Sequence, residues 1–89
     1  MDTRLTIAEI VNASVADIFM KDLEYIASHH ELNFRTDLNA TSLQYFPLIT
    51  ELEEQLDIEL DAHDFQWKAH TIGEAVDLVL QEYLSQKEK

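Results

Sequence analysis

Eighty-nine residues carry eighteen acidic against six basic side chains, a formal net charge of -12. Such a charge repels nucleic-acid phosphates and anionic lipid surfaces alike and makes basic protein surfaces the natural counterpart. No cysteine is present, which excludes a disulfide framework and a protein thiol nucleophile, so any thiol chemistry must be imported.

A hydrophobic content of 46% argues for one small folded domain over residues 1–89 rather than a disordered acidic chain. Met1-Asp2-Thr3-Arg4 lacks a basic segment followed by an apolar one, and no run approaches membrane-spanning length. A soluble, cytoplasmic monomer is expected, without nucleic-acid or membrane partners.

In chain order, Thr6-Ile7-Ala8-Glu9 reads as a capping box, followed by Ile7, Ile10, Val11, Val15 and Ile18 at helical spacing with Ser14 on the same stripe. This predicts a first helix ending near Met20 to Leu23. A long connection follows, in which Ile26, Leu32, Phe34 and Leu38 serve as anchors across the bundle. A second helix is predicted from about Ser42 to Leu56, burying Tyr45, Leu48, Ile49, Leu52 and Leu56 and turning an acidic face outward.

Asp57-Ile58-Glu59-Leu60 alternates like a strand but has no partner strand, so it is read as a connection that buries Ile58 and Leu60. Asp61 to Asp64 looks like the capped start of a very short third helix, with Phe65 and Trp67 available for packing. Thr71-Ile72-Gly73-Glu74 is a capping box opening the last helix, whose stripe is Ile72, Ala75, Val76, Val79, Leu80 and Tyr83. The tail from Ser85 is expected to fray. The fold class that results is all-α: a small four-helix bundle with a long loop between helices one and two and a short third helix.

Function is sought at Ser42. The polar turn Asp37-Leu38-Asn39-Ala40-Thr41 delivers this serine to the start of an amphipathic helix, where it should stand exposed beside free backbone N–H groups and the positive end of the helix dipole. A phosphodiester on its hydroxyl would be electrostatically welcome there. Taken alone, the same serine could be only a cap, and the acidic face only solvated.

His29, His30, His63 and His70 show no i, i+4 ligand pair and read as solvated loop histidines. Asp57, Glu59 and Asp61 imitate a calcium loop, but Ala62 and Lys68 occupy the positions that need Gly and Glu. There is neither a Ser-His-Asp arrangement nor a phosphate-binding glycine loop, which argues against autonomous catalysis.

Together these residues resemble the acyl carrier proteins. Their signature, aspartate-leucine-glycine-alanine-aspartate-serine-leucine after a phenylalanine, is similar to Phe34-Arg35-Thr36-Asp37-Leu38-Asn39-Ala40-Thr41-Ser42-Leu43. The likeness continues through Glu51 to Leu60 and into Thr71-Ile72 and the stripe beyond.

The resemblance implies that Ser42 carries 4'-phosphopantetheine, transferred from coenzyme A by a magnesium-dependent phosphopantetheinyl transferase, with an acyl group held on its thiol as a thioester. It further implies that Leu43, Phe46, Glu51, Glu53 and Glu54 face acyl-processing enzymes with basic docking patches, and that Tyr45, Leu48 and Leu52 line an acyl cavity. Fatty-acid or polyketide-type synthesis is the expected setting. The alternatives are an aminoacyl or peptidyl carrier, including the D-alanyl type, and an unmodified acidic helical adaptor.

Three departures from the family pattern stand out. Thr41 replaces an aspartate, Asn39 a glycine that Asn can imitate in the left-handed region, and Pro47 a residue inside the second helix, where a kink or an irregular first turn is expected.

Overall fold

The computed structural model describes residues 2–87, which form five helices: α1 (Thr3–Ile18), α2 (Leu23–Ser28), α3 (Ser42–Leu56), α4 (Ala62–Lys68) and α5 (Ile72–Lys87). Helix α1 packs against α5, α3 and α2, while α4 bridges α3 and α5. The all-α bundle thus stands, with one element more than the periodicity predicts.

That element is α2, inside what the sequence presents as a loop. Asp22 caps it by accepting from the Glu24 N–H at 2.9 Å, and Ile26 is its one buried residue. Six residues with a single apolar anchor give no repeat to detect.

The start of α1 also moves. Asp2 caps the helix one turn ahead of the predicted box, accepting from the Leu5 N–H at 3.2 Å. Thr6 lies inside the helix, its hydroxyl donating back to the Asp2 carbonyl. At the other end of the chain, α5 continues through Ser85 to Lys87 instead of fraying, and Lys87 pairs with Asp57 at 3.1 Å. The rest of the expected frayed tail, residues 88–89, lies outside the described residues.

The Thr71 capping box closes as read: Thr71 Oγ1 accepts from the Glu74 N–H at 3.1 Å, and Glu74 Oε1 accepts from the Thr71 N–H at 3.0 Å. The predicted faces of α3 and α5 are likewise the buried ones, with Tyr45, Leu48, Ile49, Leu52 and Leu56 inside on α3.

Proline does not interrupt α3, which runs unbroken through Pro47. The irregularity falls in the first turn, as one of the two expected outcomes: the Gln44 N–H donates to the Thr41 carbonyl at 3.0 Å, an i→i+3 bond where the other four helices open with i→i+4 bonds. Pro47 lacks the N–H that would reach the Leu43 carbonyl, and Leu43 is 79% exposed, so water can satisfy that oxygen.

Residues 29–41 are irregular but pinned. The Phe34 N–H donates to the His70 carbonyl, the Ile72 N–H to Leu32 and the Gly73 N–H to His30, at 2.9, 3.1 and 2.9 Å. An antiparallel bridge joins Asn33 to Thr71. His30 belongs to this pinning rather than to solvent: its Nε2 meets Oδ1 of the buried Asn12 at 2.7 Å. Reading it as a solvated loop histidine was wrong, because the tertiary fold brings α1 against it.

Beneath the loop, Phe34, Tyr45 and Phe65 form a triangle with centroids 5.9, 6.2 and 6.2 Å apart, and Phe19 joins Phe34 at 6.1 Å. These separations suit tilted and edge-on aromatic contacts. One core therefore anchors both the loop that precedes Ser42 and the helix that follows it.

Candidate functional site at the start of α3

A relay of short-range bonds brings the chain to Ser42. Asn33 Oδ1 accepts from the N–H groups of Arg35 and Thr36, and Asp37 Oδ2 accepts from the Asn33 N–H at 2.7 Å. The Ala40 N–H then donates to the Phe34 carbonyl at 2.7 Å, closing the loop.

Between these bonds and the helix, Asn39 takes φ 55°. This is the left-handed conformation that Asn adopts more easily than most side chains, so its place in a glycine position is structurally apt.

Thr41 is the N-cap and Ser42 the first helical residue. Gln44 reaches back, its Oε1 accepting from the Thr41 N–H at 2.9 Å. Capping is thereby handled by Thr41 and Gln44, leaving the exposed Ser42 hydroxyl without a hydrogen-bond partner among the described residues. The N–H groups of Ser42 and Leu43 lie in the first turn, where no intrahelical acceptor exists. An exposed nucleophilic oxygen beside free N–H donors, at the positive end of a fifteen-residue helix, fits a phosphodiester.

Of the residues expected to face partners, Leu43 (79% exposed) and Phe46 (56%) stand in solvent beside Ser42. Glu54 shares their outward side, two to three turns on.

Glu51 and Glu53 are half-buried on opposite flanks of α3. Glu51 lines a groove toward α1 with Glu9, Ile10, Ala13, Ser14, Asp17 and Gln55. Glu53 turns the other way, its carboxylate accepting from the Leu60 N–H at 2.9 Å. The five residues thus form an apolar patch at Ser42 and a spread acidic flank, not one cluster.

Tyr45, Leu48 and Leu52 are packed in the core, each at most 1% exposed. Burial pushes the Tyr45 phenol above its usual 10.0, partly opposed by the Arg35 guanidinium over its ring at 5.6 Å.

Trp67 departs from expectation. It is 68% exposed instead of packed, and with Arg35, His63, Gln66 and His70 it walls a groove of about 390 Å³. His63, Gln66 and Trp67 share one face of α4, a spacing legible in the sequence; His70, beyond the end of α4, and Arg35 join them only through the tertiary fold. A larger groove of about 530 Å³ between α3, α4 and α5 is rich in carboxylates, with Glu53, Glu59, Asp61, Asp64 and Glu82 on its walls.

The family model described as the phosphopantetheine attachment site matches residues 9–79. An acyl carrier protein of Exiguobacterium sp. (strain ATCC BAA-1283 / AT1b) is 33% identical over 66 residues, covering 74% of this chain and 80% of the relative. An acyl carrier protein of Lactobacillus johnsonii (strain CNCM I-12250 / La1 / NCC 533) is 37% identical over 49 residues, 55% of this chain and 60% of the relative. No solved structure matches the chain. By its matched span and its relatives, this chain belongs to the acyl carrier protein family, whose domain is the attachment site of 4'-phosphopantetheine.

Proposed function

We propose that this chain is a single-domain, non-catalytic acyl carrier whose 4'-phosphopantetheine is esterified to Ser42. The observation that carries the reading is the Ser42 hydroxyl: exposed, free of hydrogen bonds, and placed at the first helical residue while Thr41 and Gln44 do the capping. The prosthetic group supplies the thiol that a chain without cysteine lacks, and that thiol holds an acyl group as a thioester.

Modification requires the serine oxygen to form a bond to phosphorus as the pyrophosphate link of coenzyme A breaks. Adenosine 3',5'-bisphosphate leaves, and the hydroxyl proton goes to the transferase. The Ser42 and Leu43 N–H groups and the helix dipole favour the negative charge of the new phosphodiester, carried on its non-bridging oxygens.

Leu43 and Phe46 give acyl-processing enzymes an apolar contact, and Glu51, Glu53 and Glu54 a field that attracts basic docking patches. No helix among the described residues is long and apolar enough to cross a membrane. We place the protein in the cytoplasm as a monomer, serving fatty-acid or polyketide-type synthesis.

Incubation with coenzyme A and a promiscuous phosphopantetheinyl transferase, followed by intact mass measurement, tests the proposal. One added phosphopantetheine, lost in Ser42→Ala, is expected. No gain with several transferases would favour an acidic adaptor that is never modified.

A further inference from the structure

We propose that the groove formed by Arg35, His63, Gln66, Trp67 and His70 receives the carboxylate-bearing end of a short acyl group carried on Ser42. The inference rests on the carrier reading above and deepens it by naming a class of cargo.

The charge census leads to Arg35. Arg4 pairs with Asp77, Lys68 with Asp64 and Lys87 with Asp57. Arg35 and Lys21 have no carboxylate partner among the described residues, in a chain with three acidic side chains for every basic one, and of the two Arg35 lines a groove. Its guanidinium is instead held by neutral neighbours, donating to Gln66 Oε1 at 3.4 Å and lying 5.6 Å from the centre of the Tyr45 ring. These contacts orient it and leave donors for a planar anion, which a guanidinium can grip through two N–H groups at once.

The surroundings agree. Two other grooves among the described residues contain Glu53, Glu59, Asp61, Asp64 and Glu82, or Glu9, Asp17 and Glu51, and would repel a carboxylate. The Arg35 groove has no acidic wall residue. Glu74, close to His70 in sequence, is occupied by the N–H groups of His70 and Thr71.

Trp67 supplies an apolar face, with the His63 ring edge-on at 6.3 Å and His70 Nε2 against the Trp67 carbonyl at 2.6 Å. A short chain ending in a carboxylate matches this pairing of indole and guanidinium. A plain hydrocarbon would leave Arg35 unused.

The tether makes a weak contact count. Arg35 overlies Tyr45, one turn along α3 from Ser42, and the Ala40–Phe34 bond holds its loop against the start of that helix. Cargo on an arm at Ser42 samples this end of the molecule at an effective concentration of about the millimolar scale. Affinity of the same order would populate the groove substantially.

Glutaryl, pentanoyl and bare-thiol forms of the carrier, loaded from the corresponding coenzyme A compounds and checked by mass, isolate the terminal carboxylate. Fluorescence reads Trp67, the chain's one tryptophan, and nitrogen-15 NMR reads the Arg35 Nε–H and Trp67 Nε1–H. The glutaryl form is expected to shift both resonances and the emission relative to the other two, with the difference lost in Arg35→Gln and reduced by salt. Identical glutaryl and pentanoyl spectra, a full shift from the bare arm, or a difference that survives Arg35→Gln would each overturn the proposal. A chain that gains no arm mass fails the carrier reading and this inference with it; one that loads without discriminating fails the inference alone.

Discussion

Tyr45 and Arg35 show how one buried side chain ties the site to the core. The phenol is pushed up mainly by burial, so the folded chain holds its proton more tightly than the unfolded chain does. For an acid whose folded pKa is raised, this contribution is fully present below the unfolded value near 10.0 and is lost as pH climbs toward the folded one. Stability should therefore fall on raising the pH above about 10, the usual tyrosine range. Tyr45→Phe should flatten that part of the curve in urea denaturation. An equally steep alkaline loss in Tyr45→Phe would contradict the assignment.

At the scale of single residues, much of the site was legible. Ser42 sits where a polar turn meets an amphipathic stripe, and Asn39 occupies the left-handed position that its side chain tolerates. Arg35 and His30 were not legible as contributors. Their partners, Tyr45 and Asn12, lie on other elements, and a lone polar residue carries no periodic signal.

Among the elements, α3 and α5 were the most readable, since each repeats its apolar stripe over three or more turns and has a side-chain cap. Helix α2 escaped because six residues and one buried isoleucine give no pattern; the loop's apolar anchors Phe34 and Leu38 were legible and are buried, but its backbone bonds to His70, Ile72 and Gly73 were not. Such bonds are indifferent to side-chain identity.

Pro47 gives a prediction at this scale. An interior proline costs about 3 kcal/mol, offset by about 0.4–1 kcal/mol from a stiffer unfolded chain, so Pro47→Ala should stabilise by about 2 kcal/mol. For a domain of this size that is a rise in Tm of about 8–16 °C. A thermal melt of Pro47→Ala at or below that of the parent would mean that α3 has already relaxed around the ring.

For the molecule as a whole, the net charge of -12 is a source of self-repulsion. Like charges spread over a small surface repel in the folded state, and under the proposed carrier function the same field would steer basic partners toward it. Because screening weakens at low ionic strength, Tm should rise from about 10 mM to about 150 mM salt, while association with a basic partner enzyme should slow. A Tm indifferent to salt would show that self-repulsion is negligible.

Within that acidic shell, a single core cluster runs from Ile7 on α1 to Val79 on α5 and includes Phe34, Tyr45 and Phe65 under the site. The scaffold holds the entry to α3 firmly while leaving the Ser42 hydroxyl outside.

That arrangement is tested most directly by locating the modification. Cleavage at Arg35 and Lys68 releases residues 36–68, in which Ser42 is the one serine, accompanied by Thr36, Thr41 and Thr50. After treatment with coenzyme A and a transferase, fragmentation of this peptide should place the phosphopantetheine on Ser42. Finding it on Thr41 or any other residue, or finding this peptide unmodified in a protein that has gained the mass, would contradict the account.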